Sequence, residues 1–103
     1  MTLTEKTIAQ VKPTTKAAVF TATAKTIIKN IIITNNGVSA AGATIWADSD
    51  GTNANDENLI NGSYLLPTGA TTSRDVFVVL EIGGRITAEG TGASVTISGA
   101  ELV

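Results

Sequence analysis

One segment of the sequence constrains the fold more than any other. It runs from Lys25 to Asn35 and places five isoleucines within seven positions. Successive side chains of a strand point to opposite faces, so simple alternation puts Ile28 and Ile32 on one face and the other three isoleucines on the opposite face. A chain of 103 residues supplies one covering sheet of its own. The second apolar face therefore predicts contact with another molecule, and Ile28 and Ile32 are candidate interface residues.

The β-branched residues indicate the fold class. The chain has 17 Thr, 11 Ile and 8 Val, which together make 36 of its 103 residues, and such a composition favours strands. Turn signals rich in Gly, Pro and Asn interrupt these runs at short intervals. We predict an all-β, single-domain antiparallel β-sandwich of jelly-roll or Ig-like type. Its eight or so short strands lie near residues 3–11, 17–24, 26–35, 41–47, 58–66, 74–82, 84–89 and 93–102. Residues 1–16 form an N-terminal arm or edge strand, and residues 17–103 form the sandwich.

A second strand and a tryptophan add candidates for the interface. In the strand near residues 74–82, one face carries Val76, Val78, Leu80 and Ile82. Phe77 and Val79 lie on the opposite face and also need cover. Trp46 points away from the apolar neighbours Ile45 and Ala47, which makes it a further interface candidate. The alternative is that a bulge or strand end turns Trp46 inward and that a long loop covers Phe77.

The charge is unevenly distributed along the chain. The net charge is −2, but residues 1–35 carry five lysines against Glu5, which gives +4, and the remainder carries −6. Lys6, Lys12 and Lys16 are candidates to anchor a basic N-terminal arm on an acidic surface of a neighbouring subunit. On this interpretation, deletion of residues 1–16 leaves the sandwich folded and abolishes docking. The alternative is that the lysines protect exposed strand edges.

The composition argues against enzymatic and nucleic-acid functions. The chain contains no cysteine and no histidine, which removes thiol and imidazole catalysis and most transition-metal sites. We predict no catalytic residue and no cofactor. The negative net charge and the small number of aromatic residues argue against nucleic-acid binding. No stretch approaches the roughly 20 apolar residues of a membrane-spanning helix, so we expect a soluble protein that is made in the cytoplasm and has no membrane partner.

One polar segment offers a weak candidate site for a cation. Asp48, Asp50 and Asp56 lie in an Asp- and Asn-rich stretch whose oxygen atoms suit calcium. The spacing differs from that of a helix–loop–helix calcium site. Because Asp, Asn and Gly are also common in solvated connections, we favour an ordinary loop.

Several segments resemble a group of small virion proteins of tailed bacteriophages, which are β-sandwich subunits that decorate capsids or belong to tails. The similar segments are residues 24–37, 43–46, 65–69, 83–88 and 95–101. The resemblance implies a capsid decoration (cement) protein that binds the major capsid protein or other virion proteins, often as a trimer, so its location is the virion after synthesis in the bacterial host. Two alternatives stay open. One is a tail, baseplate or fibre-adaptor subunit, and the other is a carbohydrate-binding module that uses Trp46 and Tyr64 to stack on sugars.

Overall fold

The computed structural model describes residues 2–48, 59–62 and 65–102. These residues form eight strands, and no helix among them is long and apolar enough to cross a membrane. The strands are β1 Leu3–Val11, β2 Ala17–Thr21, β3 Thr26–Thr34, β4 Ala43–Asp48, β5 Leu59–Asn61, β6 Thr71–Leu80, β7 Arg85–Gly90 and β8 Ser94–Leu102. The predicted strands agree with these bounds to within about three residues, except that the one predicted at 58–66 is much shorter in the structure.

The strands form two four-stranded antiparallel sheets. Sheet A has the order β1-β8-β3-β6, and sheet B has the order β2-β7-β4-β5. The strand pairs are nested along the chain as in one long hairpin. The innermost pair is β4–β5, followed outward by β3–β6, β2–β7 and β1–β8. Folding that hairpin over itself gives the eight-stranded jelly roll, in which two sheets enclose one core. The prediction of an all-β sandwich is confirmed, and the strand order identifies the jelly-roll alternative.

Sheet A bends at one level across its whole width. Opposite Ser98 and Gly99 of β8, the pairing shifts in β1 next to Ile8 and in β3 next to Lys29. The pairing of β3 with β6 shifts at the same level. Bulges of this kind bend a strand and increase its twist. Gly99 permits the bend, because a Cβ atom at this position would overlap the carbonyl oxygen of Ile27.

The bulge at Lys29 changes which isoleucines of β3 face the core. Before the bulge Ile28 is buried, and after it Ile31 and Ile33 are buried, while Ile32 is only half-buried. Simple alternation is therefore wrong for this strand. Ile28 lies inside the sandwich, fully covered by its own chain, and the prediction that it contacts a partner is corrected because the extra residue moves it to the inner face.

The core lies between the sheets and is built from aliphatic side chains of six strands (β1, β3, β4, β6, β7 and β8) and of their connections, with partly buried residues of β2 and β5 packed against it. Fully buried members include Ile31, Ile45, Leu80, Ile86 and Ile97. The strands of sheet A have nine or ten residues and those of sheet B three to six. Sheet A is consequently longer than the sheet that covers it.

The N-terminal strand has two different halves. Residues 3–7 pair with β8 but are exposed, whereas Ile8 and Ala9 are buried and Val11 packs against the core. Residues 3–11 thus form an edge strand of sheet A. Since deletion of residues 1–16 would remove core side chains, we now expect that deletion to destabilise the sandwich, contrary to the expectation from the sequence.

Candidate interaction surface

An apolar patch lies on the outer face of sheet A, the face directed away from sheet B. It consists of Ile27 and Ile32 from β3 and Phe77 and Val79 from β6, and we call it the outer patch. None of the four belongs to the core or packs against it. Ile27 is directly opposite Val79 in the β3–β6 ladder. Phe77 is 74% exposed, and the other three are half-buried.

Polar contacts between the same two strands divide the outer patch. The Asn30 side-chain amide donates hydrogen bonds to Asp75 Oδ1 (3.0 Å) and Ser73 Oγ (3.2 Å). Asn30 lies between Ile27 and Ile32 along β3, so it separates Ile32 from the other three apolar side chains. These contacts fix β6 on β3, and the patch is therefore presented by a well-ordered ladder rather than by a loop.

Within the part of the chain that the structure describes, ion pairs are formed by Lys6, Lys25 and Lys29. Lys6 Nζ lies 3.3 Å from Glu101 Oε2, Lys29 Nζ lies 3.5 Å from Glu5 Oε1, and Lys25 Nζ lies 3.7 Å from Glu81 Oε2. All three pairs are at least partly exposed, and exposed pairs contribute about 1 kcal/mol or less each. The excess of positive charge in the N-terminal third is thus partly balanced by acidic residues of the same chain. Lys12 is exposed in the β1–β2 connection.

Trp46 occupies the predicted side of β4 but is not exposed. It lies outside the core cluster that contains its neighbours Ile45 and Ala47, yet it is only 7% exposed. The Lys16 ammonium lies 4.2 Å from the centroid of the indole ring, and the indole N–H has no hydrogen-bond partner among the described residues. Trp46 therefore offers no open ring face to a sugar or a protein, and its prediction as an exposed interface residue is corrected because Lys16 covers the ring.

The structure does not bring the eight predicted interface residues together. Phe77, Val79 and Ile32 lie on the outer patch, whereas Lys6 is on the opposite edge of sheet A. Lys12 and Lys16 precede β2. Ile28 and Trp46 are buried. Tyr64, the other predicted stacking residue, lies outside the described residues.

Two connections at one end of the sandwich expose apolar side chains that the sequence analysis did not select. Val38, in the β3–β4 connection, is fully exposed, and Leu65, in the β5–β6 connection, is 59% exposed. Asn35 joins these connections, because its buried side-chain amide donates hydrogen bonds to Ser39 O (2.9 Å) and Leu66 O (2.8 Å). Asn35 directly precedes the turn signal Asn36-Gly37, which could have marked it as a turn-stabilising residue.

The candidate cation site is only partly covered by the structure. Asp48 is buried at the end of β4, directly opposite Arg85 of β7. Asp50 and Asp56 lie outside the described residues. Within residues 2–48, 59–62 and 65–102, no group of three or more acidic side chains is placed to hold a metal ion.

The comparisons with known proteins show distant structural similarity only. No protein-family model matches the sequence, and no curated protein is significantly similar to it. A chain in "Structure of infectious bursal disease virus Gx strain" superposes with a TM-score of 0.49 and 11% sequence identity. The alignment covers 97% of this chain and 40% of that chain, so this protein spans well under half the length of its neighbour. What defines the molecule is its own architecture, an eight-stranded jelly roll with an apolar patch on the outside of its longer sheet.

Proposed function

We propose that this protein is a structural subunit of a virus particle, and more specifically a capsid decoration protein of a tailed bacteriophage. The observation that carries the proposal is the outer patch, in which Phe77 is 74% exposed beside Ile27 and Val79. Apolar side chains that the chain's own core leaves uncovered mark surfaces for other proteins when they cluster.

The fold is compatible with this role but does not establish it. Jelly rolls occur in viral capsid domains and in lectin domains, and one fold serves many functions, so the surface has to discriminate between the two. Sugar binding by stacking needs an exposed aromatic ring face. Trp46 is buried beneath Lys16, which counts against the carbohydrate-binding alternative.

The mechanism is adhesion to a repeated surface. Complete burial of a Phe, Val or Ile side chain contributes about 1.5–3 kcal/mol, and association itself costs several kcal/mol. Four such side chains, three of them already half-buried, support modest affinity for a single site. A shell offers many identical sites, and linked copies gain affinity by simultaneous binding. Self-association of the protein would supply such linkage.

Binding to purified shells tests the proposal. The isolated protein is mixed with mature shells of the phage that encodes it, and bound protein is measured after sedimentation. We expect the wild type to bind. Ile32→Lys should lower the affinity about tenfold or more, because it puts a charge into the outer patch. Val38→Lys, in the fully exposed end loop, should leave the affinity unchanged.

The location of bound copies separates decoration from a tail role. Cryo-microscopy of native particles should place copies on the outer shell with the outer patch against its surface. Copies on the tail would replace the decoration role by the tail alternative. Absence from the particle, or glycan binding without shell binding, would contradict a structural role in the virion.

A further inference from the structure

Among the described residues, no strand pairs with the outer edge of β6. Sheet A ends in β6 on one side, and β3 occupies only the other side of that strand. Of the four edge strands, β6 is the longest with ten residues, against nine for β1, five for β2 and three for β5. An unpaired edge presents a row of backbone N–H and C=O groups to any strand that can join it.

The second half of β6 lacks the charged residues that normally protect an edge. Its last five residues, 76–80, are all apolar, and the strand contains neither proline nor lysine. By contrast, the exposed half of β1 carries Glu5 and Lys6, both in ion pairs. A long edge with high β-propensity and few charges pairs readily with another chain. We propose that β6 pairs with β6 of a second copy, antiparallel, across a two-fold axis that passes through Phe77.

The alternation of side chains restricts the possible registers. In a continuous sheet, opposite residues share a face, so a two-fold pairing of β6 must be centred on a residue. A centre at Arg74 or Asp75 would put two like charges directly opposite each other, which is unfavourable. A centre at Val78 would put Asp75 opposite Glu81. A centre at Phe77 avoids all three conflicts.

The register centred on Phe77 also pairs apolar residues at its centre, while Asp75 lies opposite Val79 and Arg74 opposite Leu80 on either side. Phe77 meets Phe77 of the second copy on the outer face, and Val76 meets Val78 on the inner face. Aromatic and β-branched pairs of this kind stabilise sheets. The exposed Phe77 ring is then covered without any rearrangement of the core.

A second copy fits this edge better than the alternative of head-to-tail pairing between β6 and β1. That arrangement would bring the charged residues Glu5 and Lys6 of β1 into one ladder with the apolar half of β6. Two-fold pairing instead joins the outer faces of both copies into one surface of eight strands. The inference does not depend on the proposed function, since the edge is free whether or not the protein binds a shell.

A single-cysteine variant tests the register, because the native chain has no cysteine. Directly opposite residues have Cβ atoms about 4.5–5.5 Å apart, close to the spacing that a disulfide needs. We expect Phe77→Cys to form a disulfide-linked dimer under mild oxidation. Val38→Cys is more exposed than Phe77 and lies beyond the Thr34–Thr71 end of the β3–β6 ladder. It serves as the control and should cross-link only at the rate of random collision. Equal rates for the two variants would overturn the register.

A charge variant tests the dimer itself. The mass of the wild-type protein is measured by native mass spectrometry and analytical ultracentrifugation, and we expect a dimer. Phe77→Lys, at an exposed position, should keep the circular dichroism of the sandwich and raise the dimer Kd by about tenfold or more, because like charges meet at the axis. Leu3→Lys on the β1 edge should leave the dimer unchanged.

Three results would refute two-fold pairing. They are a wild-type monomer at the highest soluble concentration, a trimer, or a dimer that is weakened by Leu3→Lys and unaffected by Phe77→Lys. These outcomes are distinguishable from failure of the proposed function, because Ile32 lies on β3 away from the edge. A dimer that does not bind shells would leave the pairing intact and remove only the role in the virion.

Discussion

Replacement of Ile28 and of Ile32 by alanine, in separate variants, tests the effect of the bulge at Lys29. Simple alternation puts both residues on one face and predicts similar losses of stability. In the structure Ile28 is fully buried and Ile32 is half-buried outside the core. Ile→Ala removes three carbon atoms, which is about 2.4 kcal/mol at roughly 0.8 kcal/mol per buried methylene group. The cavity left at a core site raises the loss in the free energy of unfolding to about 2–5 kcal/mol. At Ile32, half-burial without a cavity limits this loss to about 1 kcal/mol.

Urea unfolding followed by fluorescence measures the difference. Trp46 is the single tryptophan and is buried, so its emission reports unfolding of sheet B, and the free energy of unfolding follows by linear extrapolation. We expect Ile28→Ala to lose at least about 1.5 kcal/mol more than Ile32→Ala, which corresponds to roughly 6–12 °C in Tm for a domain of this size. If Ile28→Ala does not fold, Ile28→Val should still lose about 0.5–1.5 kcal/mol. Equal losses at the two sites, or a larger loss at Ile32, would refute the inward orientation of Ile28.

Three further predictions concern the bend, the end loops and the tryptophan. Gly99→Ala should prevent folding or lower the free energy of unfolding by several kcal/mol in urea titrations, because the new methyl group overlaps the β3 backbone. The control Gly62→Ala, with open space around it, should change the free energy of unfolding little. A Gly99→Ala variant of normal stability would contradict the close approach of β8 to β3. Asn35→Ala should lower the free energy of unfolding by about 2 kcal/mol, since it removes three hydrogen bonds made by a buried side chain. The exposed neighbour provides the control as Asn36→Ala, and similar Tm values for the two variants would argue against the anchoring role. Lys16→Met should lower stability by about 0.5–1 kcal/mol through loss of the cation–π contact and alter the emission of the single tryptophan, whereas an unchanged spectrum would contradict the contact.

The sequence was sufficient for the architecture because its signals are local. Runs of Ile, Val and Thr between Gly-, Pro- and Asn-containing turns fixed the number and approximate position of the strands. Turn glycines such as Gly83 and Gly92, both with positive φ, are visible without any knowledge of the tertiary structure. The choice between jelly roll and Ig-like order depends on which strands pair, and no local pattern contains that information.

The errors at Ile28 and Trp46 arise from contacts between distant segments. The bulge that turns Ile28 inward lies where β3 passes close to Gly99, about 70 residues later in the chain. One signal could have indicated it, because a glycine inside a strand often marks a bulge or a close backbone approach. Trp46 was assigned to the correct face of β4, but its cover by Lys16 follows from the path of the β1–β2 connection, which alternation within one strand cannot predict.

The nested order of the strands has a consequence for how this chain is made. Strand β8 is synthesised last, yet it lies between β1 and β3 and is the partner of both. Until the ribosome has released residues 94–102, β1 has no neighbour in its sheet. The innermost pair, β4–β5, can form much earlier in synthesis. Closure of the widest loop, which brings Leu3 to Leu102, is entropically slow. The longer sheet is therefore completed only after residues 94–102 have been made, and the interval in which the apolar edges of β3 and β6 are open is the stage at which this protein is most vulnerable to aggregation.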